Sequence, residues 1–175
     1  LRCLVGSEMC IRDSLYAGLM ITADGTPKVI EYNCRFGDPE TQPVLLRLKS
    51  DLVSHCMAAL NISLNREKVE WETRKSLGVV MASGGYPGNY SNNHPILGLE
   101  DISSKYGHKV FHGGTKFAND RLVTNGGRVL CVTALGDSLE DAKTSAYELV
   151  SKISWENVQY RTDIGWRAIE KNREN

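Results

Sequence analysis

The sequence contains no run of about 18 apolar residues, the length a helix needs to cross a bilayer core, so it offers no membrane-spanning segment of that kind. It has no excess of either charge: Lys plus Arg and Asp plus Glu number 21 each. That balance removes bulk electrostatics as a route to nucleic acid or a membrane surface and leaves a local cationic pocket open. None of the five cysteines forms a C-x-x-C pair, and their number is odd. Neither a disulfide framework nor a zinc site follows, and a reducing cytosol fits best, so the expected location is cytoplasmic. The histidines are His55, His94, His108 and His112. No i, i+4 pair of them falls on an expected helix. His108 and His112 fall on an expected strand, where they make a poor metal pair, and all four read as structural or surface residues. Internal repeats and low-complexity tracts are also missing.

What is present fits a globular chain. Hydrophobic residues make up 41% and charged residues 24% of 175 positions, enough for one compact domain or two small ones. Leu1–Ser14 (LRCLVGSEMCIRDS) is set apart. It starts without Met, lacks the apolar core of a signal peptide and has no strand or helix period. It reads as a non-native leader, with the native chain cut upstream of about residue 15.

Tyr16–Thr22 reads as a strand, Ala23–Pro27 as a turn around Asp24-Gly25, and Lys28–Phe36 as the returning strand, because apolar runs about a DG turn signal a hairpin. Pro43 is expected to open a short helix over Val44–Lys49, and Ser50-Asp51 to cap a second over Leu52–Leu60. The polar stretch 61–75 reads as a connector. Leu77–Ala82 follows as a buried strand, then the Gly- and Pro-rich loop Ser83–Tyr90, with further strands at Lys109–His112 and Arg128–Leu135. Asp137-Ser138 caps a last helix, and Leu139, Ala142, Ala146, Leu149, Val150 and Ile153 form one helical face. Ser138 and Asp141 stand in capping-box positions.

Chemistry concentrates at Val29–Glu40 (VIEYNCRFGDPE). Alternation along a strand places Glu31, Asn33 and Arg35 on one face at steps of about 7 Å, with Ile30, Tyr32 and Cys34 turned towards packing. A carboxylate and an amide oxygen suit Mg²⁺, which takes hard oxygen ligands and completes its shell with phosphate and water. Arg35 suits a phosphoryl oxygen beside them. A solvated polar strand face is the alternative, and spacing does not separate the two. A second cluster is Gly113-Gly114-Thr115-Lys116 with Gly126-Gly127-Arg128. Paired glycines admit close backbone approach, and Lys116 and Arg128 carry charge for a phosphate. Turn geometry explains the same glycines, and Asn125-Gly126 is a strong turn dipeptide.

The stretch YAGLMITADGTPKVIEYNCRFGDPETQPVLLRLKSDL closely resembles the end of the ATP-grasp domain of glycinamide ribonucleotide synthetases (phosphoribosylamine–glycine ligases). LGVVMASGGYPGNY, KVFHGGTK, VTNGGRVLCVTALG and DIGWRAIE are similar to that family's C-terminal domain. The resemblance implies an α+β fold: residues 15–65 ending an ATP-grasp domain as an antiparallel hairpin plus helices, a connector at 66–76, and a small α+β C-terminal domain at 77–175. It implies ATP-dependent ligation of glycine to 5-phosphoribosylamine through a glycyl phosphate, giving glycinamide ribonucleotide, ADP and phosphate in purine synthesis. Glu31 and Asn33 would hold Mg²⁺ or Mn²⁺. Arg35 would stabilise the transferring charge or the acyl phosphate, and Asp38 and Glu40 would orient substrate amines unless they only cap their loop. Related enzymes hold a ribosyl phosphate with a Lys and an Arg, a role that falls by analogy on Lys116 and Arg128, with Gly114 and Gly127 alongside. The Gly-rich ATP loop and the adenine- and glycine-binding parts would lie upstream, so the chain is expected to be an inactive fragment needing its N-terminal part. Two alternatives stay open: another ATP-grasp carboxylate–amine ligase, and a non-catalytic α+β interaction module.

Overall fold

The computed structural model describes residues 15–102 and 106–174, so the expectation for Leu1–Ser14 lies outside the described residues. Two compact units are present. The first holds the described residues up to Thr41 with Leu48–Trp71, and the second holds Gln42–Arg47 with the described residues from Glu72 on. The sequence reading had assigned residues 42–47 to the first unit.

In the first unit, β1 (Tyr16–Ile21) pairs antiparallel with β2 (Pro27–Asn33) from Tyr16↔Asn33 to Ile21↔Pro27, with a bulge between Gly18 and Leu19. Gly25 takes φ +83° at the turn, a conformation that favours glycine. Asp24 closes this turn by accepting from Thr22 Oγ1 and from the Thr26 amide and hydroxyl, which hold its carboxyl below the usual range. The returning strand ends at Asn33, three residues short of the expectation. The backbone bends at Cys34 and Arg35, and Arg35 Nη1 donates to the carbonyl of Phe36 at 2.9 Å. The expected packing of Ile30, Tyr32 and Cys34 is not found: Ile30 is 64% and Tyr32 59% exposed, and Cys34 is exposed too. Alternation decides which side of a strand a residue takes and leaves open whether anything covers that side.

Helix α1 covers Thr41–Arg47 rather than 44–49. The amide and hydroxyl of Thr41 both reach the carbonyl of Gly37, and Pro43 sits in the first turn, where a missing N–H costs nothing. Helix α2 (Leu52–Leu60) starts as expected, with Asp51 accepting from the amides of Val53 at 3.2 Å and Ser54 at 3.0 Å.

The second unit is built on β3 (Lys75–Ala82), β4 (His108–His112), β5 (Thr115–Ala118), β6 (Arg121–Thr124) and β7 (Arg128–Gly136). All pairings are antiparallel, in a three-stranded sheet ordered β3-β7-β4 and a two-stranded sheet β5-β6. Strand β7 is central, and every residue from Val129 to Gly136 is buried. Helix α3 (Leu139–Val150) lays Ala142, Ala146, Leu149 and Val150 against this sheet, on the face expected from its periodicity. Its small residues admit close approach: a Cβ on Gly136 would run into the amide of Ala142. The core is completed by Leu77, Val79, Met81, Val132, Ile153 and Trp155. A final helix, α4 (Trp166–Glu174), and the pair β5-β6 were not anticipated.

Strands β4 to β7 form one long kinked hairpin. Between His112↔Leu130 and Thr115↔Thr124 the outgoing side has two residues and the returning side five. The glycine pairs fill this mismatch, and a Cβ on Gly114 would come within 2.8 Å of the α-carbon of Gly126. At the hairpin tip, Asn119 and Asp120 both have positive φ, 49° and 58°, as a two-residue turn matched to strand twist requires.

Candidate functional site

The first cluster lies within the first unit. Asn33 Nδ2 donates to Glu31 Oε1 at 3.0 Å, so these side chains share one face of β2. Gly18 is the register partner of Glu31, and a Cβ on it would sit 3.2 Å from Glu31 Cγ. The glycine makes room for the carboxylate, a role the sequence reading missed because the partner is thirteen residues away. Arg35 lies beyond the strand, in the bend, so strand alternation does not extend to it. Asp38 and Glu40 are exposed, and the Glu40 carboxylate folds over Gly37, where a Cβ would strike it.

The second cluster lies within the second unit, at the glycine junction. The amides of Gly113 and Gly114 donate to the carbonyls of Val129 and Arg128, each at 2.9 Å, so the Gly114 N–H is engaged in the hairpin rather than turned to a ligand. Gly127 is buried, and a Cβ on it would collide with the ring of Tyr86. Lys116 on β5 and Arg128 at the start of β7 flank the junction, both exposed. The expected turn at Asn125-Gly126 is the returning side of the kink, linking strands of different sheets. Sequence reasoning missed the Ser83–Tyr90 loop as a neighbour: the Ser83 amide donates to Gly127 O and its hydroxyl to Gly126 O, both at 2.8 Å.

Two further polar groups stand out. His94 accepts or donates at Nε2 with Ser91 Oγ at 2.7 Å, while Nδ1 lies 3.1 Å from Glu156 Oε2. Glu72 binds Arg74 Nη2 at 2.9 Å and accepts from the Tyr106 hydroxyl at 3.2 Å; the guanidinium holds its carboxyl down at about 2. A cleft of about 510 Å³ beside the hairpin tip is lined by Asn93, Asn119 and Arg121. It includes neither Lys116 nor Arg128.

The model of the phosphoribosylglycinamide synthetase C domain matches residues 76–167, which is more than half of the chain. The chain belongs to the phosphoribosylglycinamide synthetase family. The family's ATP-grasp (A) domain model matches residues 4–41. Curated relatives include the phosphoribosylamine–glycine ligases of Escherichia coli K12, 58% identical over 160 residues, and of Vibrio parahaemolyticus, 54% identical over 160 residues. Each alignment covers 91% of this chain and 37% of the relative, so the chain spans little more than a third of the length of the proteins it matches. The solved structure of phosphoribosylamine–glycine ligase from Thermotoga maritima is 34% identical with a TM-score of 0.73, covering 85% of this chain and 36% of that one. The family therefore accounts for the mixed fold of antiparallel sheets and helices. The ATP-grasp model ends at the start of α1, and the C-domain model begins within β3.

Proposed function

We propose that this chain supplies metal-binding and phosphate-binding residues to a phosphoribosylamine–glycine ligase. The reaction joins glycine to 5-phosphoribosylamine at the expense of ATP, through a glycyl phosphate, and yields glycinamide ribonucleotide, ADP and phosphate. The observation that carries this reading is the Glu31–Asn33 pair on one strand face, in a segment matched by the family's ATP-grasp domain.

The pair fits a divalent cation. It offers carboxylate and amide oxygens, and the Asn33 contact to Glu31 uses the NH₂ group, which leaves the amide oxygen free to face a hard ion. Among the described residues no group of three or more His, Cys, Asp or Glu is placed to hold a metal. Two protein oxygens suit Mg²⁺ or Mn²⁺ whose shell is completed by ATP phosphates and water. Such an ion would neutralise phosphate charge during transfer. Arg35 would meet the developing charge once its bond to the Phe36 carbonyl is exchanged for a phosphoryl oxygen, and Asp38 and Glu40 would orient substrate amines. Lys116 and Arg128, with Gly127, would receive the ribosyl phosphate. Glycine and adenine would be bound by parts of the polypeptide upstream of residue 15. The setting proposed is cytoplasmic, with small-molecule substrates and neither nucleic acid nor membrane as partner.

A chimera tests this reading. Residues 15–175 replace the matching portion of the Escherichia coli relative, and ATP- and glycine-dependent formation of glycinamide ribonucleotide is measured. Turnover that requires Mg²⁺ or Mn²⁺ is expected. A folded chimera without turnover would sink the proposal.

A further inference from the structure

Ser83 follows β3 directly and is 2% exposed. It donates twice to consecutive carbonyls, from Oγ to Gly126 O and from its amide to Gly127 O. A peptide unit is planar and trans, so a carbonyl and the N–H of the next residue point in opposite directions. With both glycine carbonyls turned towards Ser83, the amides of Gly127 and Arg128 are turned away from it. Among the described residues no acceptor meets the Gly127 N–H.

The loop that presents Ser83 is itself braced. The Tyr86 amide donates to Ser83 O at 3.1 Å, and Gln159 Nε2 donates to the Tyr86 carbonyl at 2.7 Å. The Tyr86 ring occupies the space a side chain on residue 127 would need. On the other flank, a Cβ on Gly84 would meet the Asn157 carbonyl at 2.5 Å. The conformation of residues 126–128 is therefore imposed from the Ser83–Tyr86 loop. Gly127 is itself buried, so its carbonyl needs a partner within the fold, and Ser83 supplies that partner while fixing which way the peptide faces.

We infer that Ser83 is a positioning residue for the anion-binding segment Gly126–Arg128: by turning two glycine carbonyls inward it presents the Gly127 N–H, beside the Arg128 side chain, to a phosphate monoester. This rests on the reading that Lys116 and Arg128 receive the ribosyl phosphate. Successive amides of this kind form an anion-binding concavity, and a charge-assisted hydrogen bond from one of them orients a phosphate more sharply than a flexible lysine does.

The test is a titration of the ¹⁵N-labelled chain with ribose 5-phosphate, followed by amide NMR. Saturable downfield movement of the Gly127 amide, with shifts at Lys116 and Arg128, is expected. Ser83→Ala is expected to weaken binding about tenfold and shrink the Gly127 response, as befits loss of an oriented hydrogen bond, while Ser83→Thr retains most of the affinity. Val79→Ala, a core truncation on β3, is expected to lower stability and leave affinity unchanged. If Ser83→Ala does not fold, Ser83→Cys, with similar volume and a weaker donor, is read in the same way. No saturable response in the parent chain overturns the phosphate reading and this inference with it. Normal binding by Ser83→Ala or Ser83→Cys, or equal loss in Val79→Ala, overturns the inference alone.

Discussion

Asn33 Nδ2 lies 3.0 Å from Glu31 Oε1, joining two side chains that stand two residues apart on the same face of β2. This contact fixes the two side chains relative to one another on that face. In the chimera with the Escherichia coli relative, Glu31→Ala combined with Asn33→Ala is expected to lower kcat by at least about a hundredfold, the scale on which oriented electrostatic groups act. In the isolated chain, Mn²⁺ is expected to broaden the Asn33 side-chain NMR signals and the amide of Gly18, the register partner of Glu31. Unchanged turnover, or broadening confined to other acidic residues, would remove the metal assignment.

Glu72 supplies a pH dependence. Its folded-state pKa of about 2 lies below the ordinary value of 4.5, chiefly because Arg74 donates to it. A depressed carboxylate pKa contributes stability that is complete above 4.5 and lost as pH falls towards 2. Thermal unfolding of the parent and of Glu72→Gln should therefore differ at neutral pH and converge on acidification through that window. Parallel curves would show that the Arg74 contact has no weight.

Ser138 and Asp141 form the reciprocal capping box at the start of α3, with the Asp141 amide donating to Ser138 Oγ at 3.0 Å and the Ser138 amide to Asp141 Oδ2 at 3.1 Å. Ser138→Ala is expected to cost about 1 kcal/mol, measured by urea denaturation. Hydrogen bonds from Ser138 hold the Asp141 carboxyl below its ordinary value of 3.8, so its share is present above that value and fades as pH falls below it. A change of less than about 0.3 kcal/mol would mean the box is not a cap in solution.

Gly127 and Tyr86 are coupled by shape. Gly127→Ala is expected to destabilise the second unit by about 1–3 kcal/mol, because its Cβ would enter the Tyr86 ring. Tyr86→Ala should remove most of that penalty, so the double variant is less destabilised than the sum of the two single changes. Additive losses would show that the ring does not occupy that space.

Local signals carried much of the fold. The DG turn, the Asp51 and Ser138 caps and the apolar face of α3 up to Val150 depend on residues close in sequence and stand where the sequence placed them. Ile153, expected on that face, joins the core after the helix has ended at Val150. The family also showed in contiguous motifs. Boundaries set by competition shifted: β2 gives way at Asn33 to the bend that carries Arg35, and α1 starts at Thr41 because Gly37 supplies the acceptor for its first amide.

The sequence alone determined which side of β2 carries Glu31 and Asn33, because a period of two is a property of the backbone. It also fixed where charge and glycine gather, at 113–116 and 126–128. Only the tertiary structure decided what those glycines do, because their partners are distant in sequence. Gly114 meets Gly126 across a kinked hairpin, and Gly127 lies beneath Tyr86 while its carbonyl and that of Gly126 turn to Ser83, more than forty residues earlier. Burial was likewise a tertiary outcome: the apolar face of β7 is covered by α3, while Ile30 and Tyr32 on β2 are exposed. A side chain's direction is written locally, and its neighbour is supplied by whichever distant segment the fold brings there.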